Sequence, residues 1–120
     1  MPKVVLLVFD TDPDAARLRS QLAEIGATVV EAEPRWPVFF DTVTRERPDV
    51  AVISCGAIAQ HGREAARYLG DGFNTRNIPV VMVNVEARDL AITAQSAPRA
   101  RIVGRDQLQA ALRHAFAALI

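Results

Sequence analysis

At 120 residues, half of them hydrophobic, the chain has the size of one domain with one sizeable core and is too apolar to be disordered. Lys plus Arg and Asp plus Glu are equal at 14 each, so the formal net charge is zero and no global field draws the chain toward nucleic acid or an anionic membrane. A single cysteine excludes an intrachain disulfide, and no apolar run reaches the about 18 residues that a membrane-spanning helix needs.

In chain order, short apolar runs alternate with longer segments of helical pattern. The opening MPKVVLLVFD carries one Lys and is broken by Asp10, which makes it too short for the apolar centre of a signal peptide. Its run from Val4 to Phe9 reads as a first strand. Ala15, Leu18, Leu22 and Ile25 then recur at helical spacing, with Asp12 expected as cap, Pro13 in the first helical position and Gly26 as the stop. Thr28 to Ala32 reads as a second strand, and the stretch from Pro37 to Arg47, with Phe39, Phe40 and Val43, as a second helix closed before Pro48. Val50 to Ser54 is a third strand. A helix from Arg63 to Leu69 ending at Gly70 follows, then a strand from Val80 to Val85 and a weaker helix from Glu86 to Gln95. Arg101 to Val103 is the fifth strand. Asp106 is expected to cap a last helix whose Leu108, Leu112, Phe116 and Ile120 share one side.

Several of the strands are Val/Ile runs without polar alternation, as in strands covered on both faces. Five alternations of strand and helix predict a single doubly wound α/β domain over residues 1–120, with a parallel sheet and helices on both faces. Right-handed crossovers put all strand C-termini on one edge, where such folds bind ligands. Asp10 and Asp12 after the first strand and Ser54 after the third reach that edge together. Capping and the helix dipole account for Asp12 and Asp14 without any ligand. Ser54 reads as a neutral group bonded to nearby backbone, Cys55 as a small apolar residue, and His61 as part of an exposed loop. Trp36, Phe39 and Phe40 cluster beside Pro37. Core packing explains two of the three, and Trp36 is a candidate surface anchor. Arg99, Arg101 and Arg105 form a local basic stretch near the fifth strand. No phosphate loop, nucleotide fingerprint or nucleophile–base pairing appears.

Four pieces in register resemble the receiver domain of bacterial response regulators, the CheY-like fold: LLVFDTDPDAARLRSQL, RERPDVAVIS, the spacing from Ser54 to Gly62, and NTRNIPVVMVN. The resemblance spans nearly the whole chain and implies a flavodoxin-like five-stranded sheet in the order 2-1-3-4-5. In that family two acidic residues and an aspartate hold Mg²⁺, the aspartate accepts a phosphoryl group from a histidine kinase, and a Ser/Thr and a Lys contact the phosphate. Carried over, Asp10 matches the first acidic position and Thr11 the second, with Asp12 one place further on. Ser54 stands at the phosphoacceptor position and Asn84 at the Ser/Thr position, and Gly104 and Arg105 lie in the lysine region. The chain's one lysine, Lys3, lies far from it. Such a site lacks the anionic acceptor, because a serine hydroxyl without an adjacent base is a weak nucleophile, and Mg²⁺ keeps one or two carboxylates beside its waters.

The resemblance therefore implies an atypical, phosphorylation-independent receiver in the cytoplasm. It is expected to act as a protein-interaction module of a bacterial signalling pathway, without catalysis, metal or cofactor. Protein partners, including a second copy of the chain, are expected at a face bearing Arg101 and Arg105, the face of the fourth helix, fifth strand and last helix. Nucleic acid, membrane and small-molecule substrates are not expected. The alternatives are a phosphorylatable receiver with a non-standard acceptor, for which Asp10 is the candidate carboxylate, and a flavodoxin-like ligand-binding protein.

Overall fold

Side chains alternate between the two faces of a strand, so a run that is apolar at every position requires cover on both sides. The computed structural model describes residues 1–118 and shows that cover. Strands β1 (Lys3–Leu7), β2 (Thr28–Ala32), β3 (Val50–Ser54), β4 (Val80–Val83) and β5 (Arg101–Ile102) form one sheet in the order β2-β1-β3-β4-β5. Every neighbouring pair is parallel. Helices α1 (Ala15–Glu24), α2 (Val38–Glu46), α3 (Ala59–Asp71), α4 (Leu90–Ser96) and α5 (Leu108–Ala117) connect and follow the strands. This is the flavodoxin-like receiver fold.

The sheet divides the core in two. Val4, Leu6, Val50, Val52, Val81 and Val83 point to one side, against Leu18 and Leu22 of α1 and Leu108 and Leu112 of α5. Val5, Leu7, Ala51, Ile53 and Met82 point to the other, against Phe39 and Val43 of α2 and Ala65, Ala66 and Leu69 of α3. Register places Ser54 beside Val83. The residue after β4, Asn84, is thereby brought next to the end of β3.

Several boundaries differ from the sequence reading. β1 stops at Leu7 rather than Phe9, because the chain then enters a turn. α3 starts at Ala59 and runs through Gly70, where an added Cβ would meet open space, to Asp71. The fourth strand ends at Val83 and the fifth at Ile102. α4 and α5 are each preceded by a short 3-10 turn, at Ala87–Asp89 and Arg105–Gln107. Consequently Asp106 is not the cap of α5; its carboxylate lies 2.9 Å from Arg17 on α1. Asp12 does not cap α1 either, since the N-cap position is Asp14 and carries no side-chain cap bond. Ile120 lies outside the described residues. No described helix is long and apolar enough to cross a membrane.

Candidate functional site

The site forms where β1, β3 and β4 end. After β1 the chain passes Val8 and Phe9 into a turn closed by the Asp12 N–H donating to the Phe9 carbonyl at 3.0 Å. That turn throws Asp10 and Thr11 out to solvent and swings Asp12 back inward, where it is 5% exposed. Asp12 Oδ1 accepts the Asp14 N–H at 2.9 Å, an Asx-type turn that leads into α1. Asp12 Oδ2 accepts the Ser54 hydroxyl at 2.6 Å. Ser54 is 2% exposed, and its oxygen also accepts the Asn84 side-chain amide at 3.1 Å and the Gly56 N–H at 3.4 Å.

Asn84 has φ of 62°, in the left-handed region, which Asn tolerates better than most residues. This backbone turn lets one amide nitrogen reach two sites: Ser54 and, at 3.0 Å, Asp14 Oδ2. The other Asp14 oxygen faces the Arg105 guanidinium at 3.5 Å. A buried carboxylate must be hydrogen-bonded or paired, and here two buried carboxylates share one hydroxyl, one backbone N–H, one amide and one guanidinium. Gly56 closes the arrangement: a Cβ there would stand 2.6 Å from Asp12 Oδ1. The β3–α3 loop thus lies directly over the Asp12 carboxylate.

The thiol of Cys55, next to Ser54, is buried and pushed up to about 11, chiefly by desolvation. Gly62 of α3 packs over it, with room for no Cβ (2.6 Å to Sγ). His61 is not in a loop. It lies in the first turn of α3 with its ring edge-on to Phe9, centroids 5.6 Å apart.

Of the residues singled out in the sequence, the structure brings together Asp12, Ser54 and Asn84, and links Arg105 to them through Asp14. It does not bring Asp10 or Thr11: both are exposed, and neither hydrogen-bonds to the network. Of the two carboxylates expected at this edge, Asp12 is the one turned into the network and Asp10 faces solvent. Arg101 is exposed on β5, away from the network. Asp14 and Gly56 also belong to the network, and the sequence offered Asp14 only as a helix-start acid. The Asp12-Pro13-Asp14 spacing was the available signal, because an Asx turn ahead of a helix aims both carboxylates at one point.

The fold's usual divalent cation does not fit these residues. Mg²⁺ wants near-octahedral oxygen ligands at short range. Here the oxygens of Asp12 and Asp14 are turned to N–H and O–H donors, and Ser54 beside them offers a hydroxyl rather than a carboxylate. No group of three His, Cys, Asp or Glu among the described residues could hold a metal.

No protein-family model and no curated protein matches the sequence. Solved structures do match in shape. The receiver domain of a signal transduction histidine kinase from Syntrophus aciditrophicus superposes with a TM-score of 0.78 at 15% identity, over 98% of this chain and 92% of that one. The receiver domain of a sensor histidine kinase from Pseudomonas aeruginosa PAO1, which has a magnesium ion coordinated in its active-site cleft, gives 0.72 at 17% identity, over 94% and 92%. The receiver domain of a modulated diguanylate cyclase from Desulfovibrio desulfuricans G20 gives 0.67 at 23% identity, over 96% and 93%. At these identities the likeness is one of fold.

Proposed function

We propose that this chain is a receiver-type domain of two-component signalling that works without phosphoryl transfer, as a docking module for other proteins. One observation carries the reading. Ser54 ends the third strand with a hydroxyl that is 2% exposed and bonded at 2.6 Å to Asp12. Phosphoryl transfer to such a fold needs an exposed nucleophile in line with the donor and cations to spread the developing charge. Ser54 is buried beneath the β3–α3 loop, and its neighbour Asp12 is already engaged by two donors. A carboxylate can accept a hydroxyl proton in principle, but the burial leaves no room for a phosphoryl donor to approach.

The charge balance supports the same reading. Arg105 and the Asn84 amide occupy the region where a metal and a lysine would act, and they offset Asp14 without either. The network ties the first, third, fourth and fifth strand ends into one fixed arrangement, which favours a constant surface over a switched one. Asp10, the other candidate acceptor, is exposed and outside the network. The reading includes no turnover of a substrate and no bound cofactor.

The test is intact-protein mass after incubation with acetyl phosphate and Mg²⁺. The expected mass is unchanged. A gain of one phosphoryl group that disappears in Ser54→Ala overturns the proposal, and a gain that disappears in Asp10→Asn favours the non-standard acceptor instead.

A further inference from the structure

Lys3, Arg17, Arg19, Arg35, Arg45, Arg88 and Arg105 are all ion-paired. Arg67, Arg76 and Arg99 have no carboxylate within ion-pair distance among the described residues, and all three line one recess. It lies between the end of α3 and the segment that leaves α4, beside the first residue of β4, Val80. Ser54 and Asn84 lie at the opposite edge of the sheet, where the strands end. Buried Ala66, Val80 and Ala97 form part of its floor, and its volume is about 50 Å³, room for a small polyatomic ion rather than one water.

Local structure does not account for these arginines. Basic residues often sit at helix C-termini to meet the last carbonyls. At the end of α3 those carbonyls are already engaged: the Gly72 N–H donates to Tyr68 at 2.9 Å and the Thr75 hydroxyl to Leu69 at 2.7 Å. α4 is closed in the same way by the Ala97 N–H donating to Thr93 at 2.9 Å. Arg67 and Arg76 rest against the rings of Tyr68 and Phe73, Cζ to centroid 4.9 and 5.2 Å, a contact that uses the guanidinium face and spares its N–H edge. Arg99 makes one long bond, at 3.4 Å, to the Arg76 carbonyl. Against three cations stand Asp71 and the ends of α3 and α4, each end equivalent to about half a negative charge. About one positive charge is left in excess, in a chain whose formal net charge is zero. At Arg67 and Ser96 the recess meets a wider hollow of about 240 Å³, where Arg63 and Glu64 offset each other and Gln60 adds an amide.

We propose that the α3–α4 recess binds a phosphate dianion, either free or as the end group of a small ester whose uncharged body lies in the hollow toward Gln60. Three guanidiniums around one recess suit an anion with oxygens on all sides, whereas a carboxylate presents its two oxygens in one direction. The site is separate from the Ser54 network and does not depend on whether that network excludes phosphoryl transfer.

The probes are inorganic phosphate, ribose 5-phosphate, ribose and acetate, titrated at fixed ionic strength and followed by two-dimensional amide NMR. Both phosphate probes are expected to shift the Arg67, Asp71, Arg76 and Arg99 amides saturably. Acetate is expected to bind at least about tenfold more weakly, and ribose not at all. Tighter binding of ribose 5-phosphate than of phosphate supports the ester form, and equal affinity supports free phosphate. The double variant Arg76→Gln, Arg99→Gln is expected to weaken both phosphate probes at least about tenfold with an unchanged melting temperature, since both side chains are exposed. Arg113→Gln, on α5 across the sheet, is expected to change neither affinity. No saturable shift, acetate binding as tight as phosphate, shifts spread equally over Arg47, Arg101 and Arg113, or unchanged affinity in the double variant each overturns the proposal.

Discussion

Ser54→Ala tests the hydrogen-bond network at its centre. The hydroxyl donates to a buried carboxylate at 2.6 Å, and bonds to charged groups contribute about 1.5–3 kcal/mol. Removing it leaves Asp12 with one donor, the Asp14 N–H. The two bonds that Ser54 accepts matter less. Asn84 keeps Asp14 as a partner, and the Gly56 contact is long at 3.4 Å, so together they add about 0.5 kcal/mol. The variant lacks one oxygen atom and opens little cavity. The sum is a loss of about 2–3 kcal/mol, which in a domain of 120 residues lowers Tm by about 10 °C. Urea unfolding followed by far-UV circular dichroism reads the same loss as a lower midpoint with unchanged m. The partner variant Asp12→Ala and the double variant complete a cycle, in which the coupling between the two side chains is expected at about 1–2 kcal/mol. A change below about 0.5 kcal/mol for Ser54→Ala, or strictly additive effects, would mean that the hydroxyl is not bonded to Asp12 and would refute the reasoning.

Arg105 is half-exposed and 3.5 Å from Asp14, so Arg105→Ala is expected to cost under about 1 kcal/mol; a loss as large as that of Ser54→Ala would show that the guanidinium, rather than the hydroxyl, holds the network. Gly62→Ala puts a Cβ 2.6 Å from Cys55 Sγ and is expected to destabilise by about 1–3 kcal/mol in thermal melts, although Ala is the better helix former. Burial holds the Cys55 thiol up at about 11, above its ordinary value of 9.0. The folded state therefore favours the protonated thiol: that stability is fully present below pH 9.0 and is lost as pH rises through about 11. Iodoacetamide labelling of the native protein at neutral pH is expected to be much slower than labelling in urea, and equal rates would contradict the burial.

The sheet was legible because its causes are local to the strands. Val4 to Leu7, Val50 to Ser54 and Val80 to Val83 are buried at every position, and a run of that kind has few other homes than a two-sided parallel sheet. The site was only half legible. Ser54 follows from the end of the third apolar run, and Asn84 and Arg105 were singled out only by the resemblance to receiver domains. That Asp12 turns inward while Asp10 faces solvent was not legible, because the turn after β1 depends on one backbone bond, from Asp12 to Phe9, that residue type does not encode. The left-handed turn at Asn84 was equally invisible, since Asn adopts it only where neighbours demand it. The ring cluster was half legible: Trp36, Phe39 and Phe40 are close in sequence, and only the fold shows that Tyr68, distant in sequence, joins Trp36 with ring centroids 5.1 Å apart.

The most direct measurement is a two-dimensional amide NMR spectrum recorded before and after addition of acetyl phosphate and Mg²⁺. A site already satisfied by its own donors predicts unchanged resonances for Asp12, Ser54, Gly56 and Asn84. Saturable shifts converging on those four residues would contradict it.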